Sequence, residues 1–315
     1  MSTKEAPHKR RYVVKMKPHR WLVAAVVCAV MTFTNEPLGA SASVPSGSPD
    51  PTLVALAPKL RMLVAHMPGI VAVSIADLSG GNVIAINGDV NLPAASTIKV
   101  PVMVEVFRQI AQGRFTQATT VALTDGDRDC GYGSLCDAPW GTRYSVATLL
   151  QLMITRSDNT AANMLIRRVG RQNVNATMAG LGLTQTRLGD SIRSDGDIRE
   201  LRTSTNEMMS LLVMIARHAI VTDQACRAMV SILIGQRHNT LLPKDLPKGL
   251  AIAHKTGTLH DTLNDVGIVY LNGAPYVFCA FATHLSDLDD GERFIRAASK
   301  LTYQAFALEA TSSRR

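Results

Sequence analysis

Leu53, Leu56, Leu60, Leu63 and Val64 recur at helical spacing and predict a helix ending near Pro68-Gly69. Two β-rich runs follow at 70–76 and 83–86, with Ser79-Gly80-Gly81-Asn82 between them as a hairpin turn. A helical stretch opens at Ser96 and runs to about Ala111. The pattern then stays helical through the middle of the chain. Ser145 can cap a helix over 146–154, and a second helix over 158–169 is closed by Gly170. Runs at 173–181, 205–218 and 222–234 continue it. Strand-like runs return at 250–256, 266–271 and 276–283, the last two joined by Asn272-Gly273, a strong hairpin signal. Phe294, Ala298, Leu301, Ala305 and Leu308 then predict a final helix over 291–308.

This order of elements predicts an α/β (α+β) fold. An antiparallel sheet is built from both chain ends and flanked by helices, and an all-helical second domain is inserted between the two halves. The expected divisions are 52–115 with 236–315 for the α/β domain and 116–235 for the helical one. No internal repeat or low-complexity tract is visible.

The first 42 residues read as an export signal. Lys9, Arg10, Arg11, Lys15, Lys17 and Arg20 precede an apolar run over 21–33, and Ala40-Ser41-Ala42 supplies small residues for cleavage. The run is short for a bilayer span, although a retained anchor is the alternative reading. Arg10-Arg11 loosely resembles a twin-arginine signal, and an ordinary Arg-rich leader accounts for it equally well. Ser43 to Pro51 is rich in Ser, Pro and Gly and reads as a tether. Export to a periplasmic or secreted location is therefore expected.

Composition adds limits. The 315 residues are 46% hydrophobic and 18% charged, ordinary for a globular protein with a sizeable core. The net charge of +8 sits largely in the leader, and no basic stripe interleaved with aromatics follows it, so no nucleic-acid role is expected. Membrane contact is expected only through the export signal, and the mature chain is expected as a monomer. In an oxidising compartment Cys130 and Cys136, six positions apart with two glycines between them, are expected to form a disulfide. Cys226 and Cys279 read as buried small hydrophobes.

Three short motifs carry the chemistry: Ser96-Thr97-Ile98-Lys99, Ser157-Asp158-Asn159 and Lys255-Thr256-Gly257, with starting residues 61 and then 98 positions apart. Residues three apart share a helical face, so Lys99 can reach the Ser96 hydroxyl and serve as its base. Ser157 can relay a proton to a leaving nitrogen, and Asn159 can hold a substrate amide. Strand alternation puts Lys255 and Gly257 on one side, where Gly257 lets a substrate backbone approach closely. Each motif alone is commonplace: a capping serine beside a lysine, an N-cap, a strand end. Together and in order they make a complete kit for acyl transfer through a serine.

The three motifs resemble those of class A β-lactamases and penicillin-binding proteins, and the resemblance spans nearly the entire mature chain. It extends through 153–163, Leu181-Gly182-Leu183-Thr184-Gln185-Thr186-Arg187-Leu188, Leu246-Pro247-Lys248-Gly249, His254 through Thr258, and 265–270. It implies Ser96 as the acylated nucleophile, Lys99 as its proton partner and Ser157 as the relay to a β-lactam nitrogen. It implies Asn159 holding the acyl side-chain amide, with Lys255, Thr256 and Thr258 holding the substrate carboxylate around Gly257. Backbone N–H groups of Ser96 and Thr258 would form the oxyanion hole. Neither a metal nor a cofactor is implied.

One departure stands out. Four positions after Leu188, where the family carries the glutamate that activates the deacylating water, this chain has Ile192. Asp190, Asp195, Asp197 and Glu200 are nearby carboxylates, each read first as solvated loop charge. His254 reads as a buried or edge-of-strand histidine without a catalytic role. The expected function is a serine hydrolase that opens β-lactams, or related acyl-D-Ala-D-Ala-like amides, through an acyl-enzyme on Ser96, with turnover in doubt. The alternatives are a penicillin-binding D,D-peptidase, an esterase-like relative, and a non-catalytic β-lactam sensor.

Overall fold

Successive residues of the strand Tyr276–Thr283 point alternately into two different cores, which is the key to the architecture. Val277, Cys279 and Phe281 belong to one buried cluster, and Tyr276, Phe278, Ala280 and Ala282 to the other. A strand whose both faces are covered must read as a continuous apolar run, as this one does. The computed structural model describes residues 51–189, 191–194 and 200–312. The leader, nearly all of the tether, and Asp190, Asp195 and Asp197 lie outside the described residues.

The chain enters through helix α1 (Pro51–Ala65), then the hairpin β1 (Ile70–Asp77) and β2 (Val83–Ile86). A short strand β3 (Leu92–Pro93) leads through a 3-10 turn, Ala95–Ile98, into α2 (Lys99–Ala111). The middle holds β4 (Thr120–Ala122), β5 (Arg143–Ser145), α3 (Val146–Thr155), α4 (Asn159–Val169) and α5 (Arg171–Gly180). It continues with β6 (Arg202–Thr203), α6 (Thr205–Ala216) and α7 (Asp223–Ile234). Strands β7 (Ile252–Leu259), β8 (Thr262–Val269) and β9 (Tyr276–Thr283) and the long helix α8 (Leu288–Ser312) close the chain.

Both chain ends build one antiparallel sheet in the order β2-β1-β9-β8-β7, as the sequence predicts. On one face α1 and α8 contribute Leu56, Leu60, Phe294 and Phe306, with Phe306 stacked on Tyr276 at 4.4 Å between ring centroids. The other face carries the larger core, to which α2, α3, α4, α6 and α7 contribute. Helix starts follow their capping residues: Ser145, Asp158, Ser204 and Thr222 each accept an N–H from the first turn of the helix they precede. No described helix is long and apolar enough to cross a membrane.

Boundaries moved where buried polar residues interrupt the hydrophobic pattern. Strand β8 begins at Thr262, four residues before the expected start, because Thr262, Asn264 and Asp265 are polar yet fully buried. The small strands β3, β4, β5 and β6 are too short to show a period and were not expected.

Cys130 and Cys136 form the expected disulfide, and Cys226 and Cys279 are free and buried. Peptide mapping after alkylation checks this pairing. Cys226 and Cys279 should react only once denaturant is added, and Cys130 and Cys136 only after reduction. Modification of Cys130 in unreduced protein would contradict it.

Candidate active site

The nucleophile turn is held in a conformation that a chain adopts only under constraint. Ala95 has φ +47°, in the left-handed region that costs a non-glycine residue of order 1–3 kcal/mol. Two anchors hold it. The Thr97 hydroxyl donates to the Ala94 carbonyl at 2.6 Å, and Asn264 on β8 donates through Nδ2 to the Pro93 and Ala94 carbonyls at 2.9 and 3.1 Å. Strand β7 passes so close that a Cβ on Gly257 would stand 3.0 Å from the Ala95 Cβ and 3.2 Å from the Ser96 backbone nitrogen. Glycine at this position lets strand and turn meet, which brings the Ser96 N–H beside the strand carrying Thr258.

Lys99 opens α2 with its side chain fully buried. Its Nζ lies 3.1 Å from Ser96 Oγ, 3.1 Å from Ser157 Oγ, 2.7 Å from the Ser157 carbonyl and 2.6 Å from Asn159 Oδ1. Burial first, and then the nearby Lys255 cation, push its pKa well below the ordinary lysine value, while Asp158 and Asp129 pull the other way. A lysine so placed can present a lone pair to the Ser96 hydroxyl proton.

Ser157 is the second strained residue, at φ +54°. Its hydroxyl lies 3.1 Å from Lys99 Nζ and 3.1 Å from Lys255 Nζ, so it bridges two lysines. Asp158 caps α4 through Ala161 and also accepts the Ser134 and Leu135 N–H groups at 2.8 and 3.0 Å. That carboxylate seats the disulfide-closed loop 130–136 against the motif. Asn159, the first residue of α4, takes Lys99 on its oxygen and donates its Nδ2 to Asp129 at 2.7 Å.

Lys255, on β7, is buried and donates to the Thr256 carbonyl at 2.7 Å as well as to Ser157. Burial lowers its pKa to about 7, against the opposing pull of Asp265. Ser96, Ser157, Thr256 and Thr258 line one cleft of about 130 Å³. Two larger hollows, of about 510 and 600 Å³, hold none of the motif residues. The eight expected site residues are thus gathered about this cleft: four line it, while Lys99, Asn159, Lys255 and Gly257 contact its walls from behind.

Other residues of the site lie outside the motifs. Tyr132 lines the cleft, its ring edge-on to His238 at 6.2 Å, with Thr240, Leu241, Leu263 and Glu292 completing the wall. The cysteine pair flagged the loop that carries Tyr132. His238 and Thr240, in the irregular connection between α7 and β7, had no such marker. His254 is buried between Asp265 and Asn239, at 2.9 and 2.8 Å, consistent with a structural histidine. Among the described residues the one cluster of metal-ligating type, Cys130, Cys136 and Asp137, has both sulfurs committed to the disulfide.

Ile192 is buried in the larger core. Asn163, one turn beyond Asn159 on α4, clamps its backbone on both sides. The Ile192 N–H donates to Asn163 Oδ1 at 2.7 Å, and Asn163 Nδ2 donates to the Ile192 carbonyl at 2.9 Å. Of the candidate substitute carboxylates, Glu200 is described; it is exposed and packs against Gly189.

A family profile described as the β-lactamase enzyme family matches residues 55–306. The chain belongs to the β-lactamase enzyme family. Among curated relatives, β-lactamase CARB-3 of Pseudomonas aeruginosa is 26% identical over 195 residues, covering 59% of this chain and 67% of that protein. β-Lactamase AST-1 of Nocardia asteroides is 23% identical over 275 residues, covering 84% and 87%. Among solved structures, the protein PBP-A superposes with a TM-score of 0.77 at 30% identity, covering 81% of this chain and 97% of that one. A β-lactamase from Sphaerobacter thermophilus gives a TM-score of 0.75 at 29% identity, covering 79% and 96%. The α+β architecture is that of these β-lactamases.

The buried lysine makes folding depend on pH. Unfolded, Lys255 keeps its proton up to about its ordinary 10.5; folded, only up to about 7. Between those values the unfolded state binds the extra proton, so the folded state gains stability as pH rises. Urea unfolding of wild type and Lys255→Met should therefore show a stability difference that moves in favour of wild type from pH 7 to pH 10. A difference constant across that range would contradict the buried, depressed amine.

Proposed function

We propose that this protein is a serine β-lactam hydrolase that forms an acyl-enzyme rapidly on Ser96 and releases it slowly. The observation that carries the first half is the unbroken chain Ser96 Oγ, Lys99 Nζ, Ser157 Oγ, Lys255 Nζ, with 3.1 Å at every link. Lys99 takes the hydroxyl proton as Ser96 Oγ bonds to the lactam carbonyl carbon. The developing oxyanion meets the backbone N–H groups of Ser96 and Thr258, donors of a kind worth about 10²–10³ in rate when one is removed. As the C–N bond breaks, the nitrogen receives a proton from Ser157, which is resupplied from the lysines on either side. Lys255, Thr256 and Thr258 hold the substrate carboxylate, an anion that favours the charged form of a lysine poised near 7.

For the second half, no carboxylate stands at the position where the family carries its base. Deacylation requires a group within hydrogen-bond reach of a water facing the ester. By the resemblance, the segment that carries the base in the family carries Ile192 here, with its backbone clamped by Asn163. Loss of general-base assistance slows such a step by about 10²–10⁴-fold. The neighbour PBP-A supports the acylation half of this reading, since one solved structure is described as a leucine-to-glutamate variant of it in an acyl-enzyme complex with penicillin G. The Cys130–Cys136 disulfide fits export to an oxidising compartment.

A fluorescent penicillin should label the purified protein covalently, and Ser96→Ala should abolish labelling; undiminished labelling of that variant would refute the assignment. Stopped-flow mixing with nitrocefin should give a burst of one equivalent per site followed by slow hydrolysis. Fast turnover without a burst would show that another group supplies the base. Release of D-alanine from an acyl-D-Ala-D-Ala peptide, with Ser96 required, would favour the D,D-peptidase alternative.

Replacing Ile192 with glutamate should hasten release of the acyl group, read as shortened persistence of the penicilloyl adduct by mass spectrometry. An unchanged lifetime would mean that the clamped backbone does not aim this side chain at the ester.

A further inference from the structure

Asp129 belongs to none of the three motifs and touches neither Ser96 nor Lys99. It precedes the disulfide-closed loop, is 7% exposed, and accepts four hydrogen bonds. Oδ1 receives Asn159 Nδ2 at 2.7 Å and the Gly131 N–H at 3.0 Å, and Oδ2 receives the Ser194 N–H at 2.7 Å and its hydroxyl at 3.0 Å. Its main chain is fixed as well. The Asp129 N–H donates to the Thr160 hydroxyl oxygen at 3.0 Å, and that hydroxyl donates to the Asp129 carbonyl at 3.1 Å. Four bonds use the full acceptor capacity of a carboxylate, so none is left to activate a water. Asp129 is not a substitute base.

We propose that Asp129 is a positioning residue for acylation, whose carboxylate holds the Asn159 amide in one orientation and ties it to the segment following Ile192. The reason is the near-symmetry of an asparagine amide, whose two ends are almost the same shape and differ only in hydrogen bonding. At Asn159 one end faces the Lys99 amine and the other a carboxylate. Only oxygen toward Lys99 and nitrogen toward Asp129 satisfies both; a flipped amide would set donor against donor and oxygen against oxygen. One Nδ2 hydrogen goes to Asp129, and the second remains for a substrate carbonyl. This inference rests on the acylation reading above.

The fixed charge has a second effect. The groups facing Lys99 are Ser96 from the nucleophile turn, Ser157, Asp158 and Asn159 at the start of α4, Lys255 from β7 and Asp129 from the loop, with His238 further along the cleft. Asp129 and Asp158 favour the charged lysine, and burial and Lys255 oppose them. Removing the Asp129 charge therefore lowers the pH at which Lys99 becomes a base.

The test uses the full purified protein and the variants Asp129→Asn, Asp129→Glu and Ser194→Ala. Two probes are followed from pH 5 to 9: the acylation rate with a fluorescent penicillin, and the affinity of phenylboronic acid for Ser96 by calorimetry. Asp129→Asn should slow acylation by about 10- to 100-fold, the range for a lost charge-assisted hydrogen bond, and shift the midpoint of both profiles to lower pH. Asp129→Glu displaces the carboxylate but keeps its charge, so the rate should fall while the midpoint stays. Ser194→Ala should leave the midpoint in place with a smaller loss of rate. An Asp129→Asn protein with wild-type rate and midpoint would overturn the proposal, as would an Asp129→Glu protein with an undiminished rate should the first variant fail to fold. Wild-type protein that no penicillin labels would refute the β-lactam reading instead, and the boronate profiles would then decide on Asp129.

Discussion

Two lysine amines buried a single hydroxyl apart are the constraint on which the rest of this molecule turns. Taking one ammonium group out of water costs several kcal/mol even after relaxation, and two such groups repel. Among the described residues neither Lys99 nor Lys255 has a carboxylate in ion-pair contact. The chain meets the penalty by letting both amines lose their protons easily and by surrounding them with oxygens from Ser96, Ser157, Asn159 and Thr256. The left-handed backbone at Ala95 and Ser157 belongs to the same solution, since Ala95 precedes Ser96, which meets the Lys99 amine, and Ser157 bridges the two amines. Local strain of this kind persists where surrounding structure over-determines it. Here the sheet on one side and α4 on the other supply that determination.

Much of this was readable in the sequence, and what was not shares a physical cause. Helices α3 to α7 each carry a 3.6-residue period, and all but α5 also a side-chain cap, so their placement is nearly as expected. Strand β9 was legible because both its faces are apolar. Strand β8 was read short because a strand lining a site substitutes buried Asn and Asp for the branched aliphatics that signal a strand. The motif residues were identifiable because their chemistry demands particular side chains at particular spacings. Tyr132, His238, Glu292 and Asp129 are brought to the cleft by loops and by α8, through contacts across tens to more than a hundred residues. No local pattern records such contacts.

On the proposed reading, Ile192 shows how a site can keep its scaffold while changing its chemistry. The Asn163 clamp grips main-chain atoms, which every amino acid provides, so it is indifferent to the side chain it displays. Acylation machinery lies on the turn before α2, at the start of α4 and on β7, whereas the water-activating position lies on a separate segment. In that reading the two halves of the reaction are separable by a single substitution. Turnover and covalent capture are close neighbours in sequence space.

The double-sided burial of β9 divides the molecule into two regions that tolerate change differently. The β9 side chains facing α1 and α8 fill a separate core, which reaches the cleft wall through Leu241 and Leu263, so drift at those β9 positions acts chiefly on how firmly the protein holds together. Those facing the larger core share it with Ile98, which directly precedes Lys99, and with Ile192. Inserting one residue into β9 would exchange these two populations over the rest of the strand. Length variation is thus excluded from the central sheet and confined to its connections, where the walls of the cleft are made, and new substrate preferences can arise there without disturbing the lysines beneath.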